Sequence, residues 1–387
     1  MRALMLMVAM LASAAAAGEF TLVAREHPIE NNPDLHETVW QAQVGESEYD
    51  RIGLHRIAGP GEPVAQLLYL PGTNMNGEIA LTDEAYNLWL YLARRGVVVY
   101  TLDYRTHFVP NEPVPEDLGF MRGWTMHAFV SDAERAVGEM RRHADLPLFV
   151  AGFSRGAGYG YALAGQVSLA GLIALDGSFK SWERDGFDAD AARQALSASG
   201  QWGSVLSRSR GWAGRTELME RAATDPSGPA MGKFDSIGAQ LFETLYYAWG
   251  EGGLANPVDG ISRIDVLARA MIGYDRVFPS IQNIEGRSIA SHDDDPSTAI
   301  DDHFGEMSVP ILYFGATNMG ADSLMSGIYS ASKSGSDDVT LHVLERHGHL
   351  DVLYGELVES QVFAVIRDWI NDRVAAPSRQ GEPAPTR

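Results

Sequence analysis

Cysteine is absent from the 387 residues, and lysine nearly so, with Lys180, Lys233 and Lys333 as its only occurrences. Without a thiol there is no disulfide, no cysteine nucleophile, no Cys-ligated zinc and no iron–sulfur cluster, whatever compartment holds the chain. Basic charge is scarce as a whole: 30 Lys and Arg stand against 51 Asp and Glu, a formal charge of −21. Nucleic acid and anionic membrane surfaces are held through clustered cations, so neither is an expected partner. No apolar run is long enough to cross a bilayer as a helix. GxxxxGK[ST] phosphate loops and HExxH zinc motifs are missing too. What the chain does have is an apolar content of 45%, enough for a buried core and too much for a disordered or collagen-like polymer.

The ends differ from the middle. Arg2, the apolar run Ala3 to Leu11 and the small residues Ala12 to Ala17 have the layout of a secretory signal peptide cleaved after Ala17. Export to the periplasm or medium, without a stable membrane anchor, is therefore expected. Residues 375–387 are rich in Pro, Ser and charge and are expected to form a flexible tail.

Between them, short apolar runs alternate with helical spacing. Leu67 to Leu70, Val97 to Leu102, Leu148 to Ala151 and Leu172 to Leu175 read as strands. Glu78 to Arg95 and Trp124 to His143 read as amphipathic helices between them. Wholly apolar strands alternating with helices imply an α/β class, with a mostly parallel sheet covered on both faces. The rhythm lapses after Ser178 and returns with Val309 to Phe314, a helix over Ala321 to Ser334, Val339 to Leu344 and a helix over Leu357 to Val374. The organisation read from this is a core over 18–177 and 306–374, interrupted at 178–305 by a largely helical cap. Within the cap, Leu241, Phe242, Leu245, Tyr246 and Trp249 share a helical face, read as core packing.

Gly152-Phe153-Ser154-Arg155-Gly156 stands between a strand and a small-residue helix. G-x-S-x-G in that context is a sharp turn that exposes a strained serine, with glycine on each side so that backbone and helix can approach. A serine hydroxyl needs a base to take its proton. His349, in Gly348-His349-Leu350-Asp351 ahead of the last helix, is the preferred base; His347 is the alternative.

With these motifs the chain resembles the α/β-hydrolase fold superfamily, specifically its esterase and lipase-like members with an inserted cap, over about residues 37 to 374. The resemblance implies Ser154 as nucleophile, His349 as base, and an oxyanion hole from the N–H groups of Thr73 and Arg155, with Pro71 where the family usually has His and Asn74 as a possible further donor. The acid is left open: Asp322 is the first choice, Asp176 at the end of a strand the alternative, and Asn318 at the usual position the third. The implied function is cleavage of a small-molecule carboxylic ester, neutral and partly apolar, through an acyl-enzyme, with no cofactor or metal. An acyltransferase with the same triad and a non-catalytic binding protein on the fold are the rivals.

Two further clusters have plainer readings. Asp103 and Arg105, in Asp103-Tyr104-Arg105-Thr106-His107, are expected to brace loops as a pair in preference to lining a pocket. His292 to Asp295 with Asp301, Asp302 and His303 is expected to be a solvated surface loop, since it lacks EF-hand spacing for calcium.

Overall fold

The computed structural model describes residues 18–183, 186–208, 211–230, 232–241 and 262–375. The expected leader, all but Ala375 of the tail, and Phe242, Leu245, Tyr246 and Trp249 of the aromatic stripe lie outside them. No helix among the described residues is long and apolar enough to cross a membrane.

Chain order gives β1 Thr21–Ile29, β2 Asn32–Gln43, β3 Arg51–Ala58, β4 Ala65–Leu70, α1 Leu88–Ala93, β5 Val97–Asp103, α2 Met126–His143, β6 Leu148–Phe153, α3 Arg155–Ala164 and β7 Gly171–Leu175. There follow α4 Ala189–Ser199, β8 Gly203–Val205, α5 Trp212–Thr224, α6 Ile237–Leu241, α7 Ile264–Ile272, β9 Val277–Pro279 and α8 Ile281–Ser291. The sheet resumes with β10 Ile311–Ala316, α9 Ala321–Ser332 and β11 Val339–Leu344, and the chain closes with α10 Asp351–Tyr354 and α11 Ala364–Ala375.

Nine strands form one sheet in the order β1-β2-β3-β5-β4-β6-β7-β10-β11. From β5 onward across the sheet every pairing is parallel. Their residues explain it: β4, β5, β6, β7 and β10 are buried along their whole length, as strands covered on both faces must be. The chain steps from β4 outward to β5 and then back past β4 to β6. Where strand order reverses in this way, the loops leaving β4 and β6 diverge and open a crevice at the carboxyl end of the sheet.

One expected helix comes out differently. Of Glu78 to Arg95 only α1 is α-helical, preceded by a single 3₁₀ turn at Glu84–Tyr86. The reason lies upstream: the Thr101 hydroxyl donates to the Gly77 carbonyl at 2.6 Å, and the Gly77 N–H donates to Asp103 at 2.7 Å. Those backbone groups are spent on β5, and Asn87 then starts the helix by accepting from the N–H groups of Trp89 and Leu90 at 2.9 and 3.2 Å. The last expected helix runs unbroken from Val358 to Ala375, with a π-helical stretch at Glu359–Phe363 leading directly into α11.

The antiparallel ribbon β1 to β3 has no counterpart in the strand pattern read from sequence. It is tied to the core by His55 of β3, whose Nδ1 lies 2.7 Å from Glu37 of β2 and whose Nε2 lies 2.8 Å from Asp103 of β5. Burial alone would lower the pKa of this imidazole, but the two carboxylates outweigh burial and hold it at about 10. A group raised on folding from about 6.5 stabilises the native state in full below pH 6.5 and loses that contribution as pH climbs toward 10. Urea midpoints should therefore fall between pH 7 and pH 10, and His55→Gln should be less stable at pH 7 yet flatter over that interval; an unchanged slope would refute the assignment.

Asp103 and Arg105 do brace loops, but not as a pair with each other. Arg105 forks onto Asp132 of α2 at 2.7 and 2.9 Å and reaches Asp50 at 2.9 Å. The acidic loop departs further from expectation. Asp295 and Asp301 are buried, and the wholly buried Lys180 ammonium sits on Asp301. Asp294, Asp301 and Asp302 each bring a carboxylate oxygen within 4.8 Å of the others, and of the three it is Asp301 that pairs with Lys180.

Candidate active site

Ser154 follows the last residue of β6 with φ 55° and ψ −119°, in sparsely populated space for a residue with a side chain. The glycines around it let the backbone pass where a Cβ could not. A Cβ at Gly152 would overlap the Gly156 carbonyl, and one at Gly156 would overlap that of Leu70. The second contact matters more, because it presses the first turn of α3 against the exit of β4. Thr73 and Arg155 thereby meet at the crevice, and both line one cavity of about 430 Å³ together with Ser154 and His349. Arg155 opens α3, so its N–H has no carbonyl four residues back to serve, and the helix N-terminus adds its positive partial charge. Ser154 itself is anchored by its N–H donating to the Leu175 carbonyl at 2.9 Å.

Gly177 makes the third close approach: a Cβ there would overlap the Ser154 carbonyl. The exit of β7 therefore runs against the elbow, and this brings Asp176 to it. Asp176 has φ 45° and is buried. One carboxylate oxygen accepts the Ala316 N–H at 2.8 Å, and the other lies 2.6 Å from His349 Nδ1. A carboxylate only accepts, so Nδ1 carries the proton and Nε2 keeps the lone pair. The imidazole also stacks on Phe153, with ring centroids 4.6 Å apart.

Asp322, the first choice from sequence, is exposed in the first turn of α9, a place where a carboxylate favours the helix macrodipole. The carboxylate that meets His349 is Asp176. Asn318 has a different task, since its amide donates to the Arg346 carbonyl at 2.9 Å and its N–H to that of His347 at 3.0 Å, tying the loop after β10 to the histidine loop. His347 donates from Nδ1 to its neighbour, the Glu345 carbonyl, at 2.9 Å. Asn74 is left-handed at φ 63° and spends its amide on the carbonyls of Asp275 and Val277 at 2.9 and 3.3 Å. It fastens the segment leading into β9 to the core.

Two sets of residues were invisible to motif reading. Asp351 accepts the Gly348 N–H at 2.6 Å and the Ser262 hydroxyl, so it closes the turn that carries His349; the Gly-His-x-Asp spacing is its only trace in sequence. Asn283, Gly286, Arg287, Ile289 and Ala290, all on α8, form the far wall of the cavity, and nothing local distinguishes them.

Sheet order, the serine turn between β6 and α3, and the histidine after β11 together define an α/β-hydrolase-fold protein. The fold is shared with a crystal structure of a lipase candidate from Sulfolobus solfataricus, 24% identical, at a TM-score of 0.74 over 92% of this chain and 99% of that one. An α/β-hydrolase fold protein from Nakamurella multipartita is more distant, 13% identical with a TM-score of 0.49 over 85% of this chain and 98% of its own. No protein-family model and no curated protein matches the chain.

Proposed function

We propose that the chain hydrolyses carboxylic esters with Ser154 as nucleophile, His349 as base and Asp176 as acid. The observation that carries the reading is the buried 2.6 Å contact of Asp176 with His349 on the wall of the cavity that the strained Ser154 also lines. In this reading the serine oxygen attacks the carbonyl carbon as His349 Nε2 takes its proton. The N–H groups of Thr73 and Arg155 receive the oxyanion, and Asp176 stabilises the imidazolium and holds its tautomer. His349 then protonates the leaving alcohol, and water resolves the acyl-enzyme by the reverse route. The N-terminal leader pattern supports export of the enzyme. A fluorophosphonate probe tests the reading: one label per wild-type chain, on the peptide that contains Ser154, and none on Ser154→Ala. Labelling that persists in the variant, or none on the wild type, would refute it.

A further inference from the structure

An N–H group stabilises an oxyanion only when it is aimed before the charge appears, and a loop left to itself does not hold its aim. The loop leaving β4 runs against the nucleophile: a Cβ on Gly72 would stand 3.2 Å from Ser154 Cβ, and the next residue, Thr73, lines the cavity. The turn closes on itself once, with the Met75 N–H donating to the Gly72 carbonyl at 3.1 Å. Gly77, at the far end, is fixed by β5, and the stretch between is gripped by Asp275, which lies between α7 and β9. The Asp275 N–H donates to the Asn74 carbonyl at 2.7 Å, and the Asn74 amide donates back to the Asp275 carbonyl at 2.9 Å. The buried Asp275 carboxylate takes three further donors: the Asn76 amide at 2.9 Å and His107 Nδ1 at 3.0 Å on one oxygen, and the Thr106 hydroxyl at 3.2 Å on the other.

A carboxylate taken out of water costs stability unless its lone pairs are used, and here the donors come from two core loops, the one after β4 and the turn after β5. One side chain therefore joins both at the carboxyl end of the sheet. Asn74, next to Thr73, has φ 63°, a left-handed conformation that a residue with a side chain keeps only where its surroundings impose it. Asp275 imposes it, through the main chain and the amide of Asn74 together. We propose that Asp275 is a positioning residue for the oxyanion hole: it holds Asn74 and Asn76, and so sets the direction of the Thr73 N–H toward the carbonyl that Ser154 attacks. The inference rests on the hydrolase reading above. It adds that the chain between β7 and β10 acts on the chemistry through the clamp at residue 275, as well as by walling the cavity.

Turnover of para-nitrophenyl butyrate and inhibition by propyl trifluoromethyl ketone, which adds the serine as a tetrahedral oxyanion, test it together. Asp275→Ala should lower kcat about 10- to 100-fold with KM within about twofold, and weaken the ketone by a similar factor, because a misaimed donor is missed by the tetrahedral state and not by bound ester. The acid limb of the pH–rate profile, which reports His349, should stay in place. Asp275→Asn should recover most of the rate: its amide oxygen still accepts from Asn76 and His107, and the Thr106 hydroxyl can turn to accept from the new NH₂. Asn74→Gly keeps the left-handed backbone without strain but gives up the amide bonds. It should show the same division between kcat and KM, and it decides the matter if Asp275→Ala does not fold. Gln282→Met is the control for general loosening, since the bonds of that buried amide go to the Trp124 carbonyl and the Tyr159 hydroxyl instead; it should lower the melting temperature and leave the ratio of ketone affinity to KM unchanged. A kcat within about twofold of wild type in folded Asp275→Ala or in Asn74→Gly, or an equal loss of that ratio in Gln282→Met, would overturn the proposal and leave the hydrolase reading standing. No turnover and no fluorophosphonate label on the wild type would remove both.

Discussion

Asp176→Asn is expected to lower kcat on a carboxylic ester by about 10⁴-fold, with Asp322→Asn within about twofold of wild type because it alters an exposed helix turn. The size of the first effect follows from hydrogen-bond bookkeeping at one side chain. The Ala316 N–H at 2.8 Å requires an acceptor, so an asparagine at 176 would keep its amide oxygen there and turn its NH₂ toward His349 Nδ1. Two donors cannot face each other, so the imidazole would shift its proton to Nε2. That nitrogen is the one needed to accept from Ser154, and the base is lost without any change of shape. The substitution also removes the negative charge that stabilises the imidazolium. Circular dichroism and thermal melting should show a folded variant, and the fluorophosphonate label should go on far more slowly. A drop of several orders in Asp322→Asn with Asp176→Asn near wild type would reverse the assignment.

Local signals in the sequence reached as far as local physics does. Six core strands, β4 to β7, β10 and β11, were legible because each is a bounded run of apolar or β-branched residues. Ser154 was legible because the turn itself demands glycine at 152 and 156, where a Cβ would strike a carbonyl. The ribbon β1 to β3 was not, since β1 is mostly exposed, β2 is only partly buried, and the register depends on His55 of β3 meeting Glu37 and Asp103 across three strands. The carboxylate that contacts His349 ranks only second in the sequence reading for the same reason. Spacing after β10 pointed to Asp322, whereas the choice is made by Gly177, whose missing side chain lets the end of β7 press on the elbow. That contact spans distant parts of the chain and leaves no periodic mark.

Removing one partner of the Lys180–Asp301 pair is expected to cost about 3–5 kcal/mol of folding free energy, because the charge left behind cannot reach water. Both side chains are fully buried. Asp301 also accepts the Asp295 N–H at 3.0 Å, and the Lys180 N–H donates to the Ser330 hydroxyl at 2.9 Å, so neither residue can swing outward without breaking backbone contacts. Lys180→Met would strand the carboxylate and Asp301→Leu the ammonium, whereas the double variant places two apolar chains beside Phe179 and Phe304. It should recover most of the loss, so that in a double-mutant cycle of urea unfolding it costs far less than the two single variants added together. Single variants within 1 kcal/mol of wild type would show that water reaches the pair. The cost also bears on function: Lys180 immediately follows Ser178 and Phe179, which line the cavity beside Ser154. Where the single variants stay folded, they should raise KM more than they lower kcat, since the wall they anchor holds substrate and the Ser154–His349–Asp176 group is anchored separately through Leu175 and Ala316.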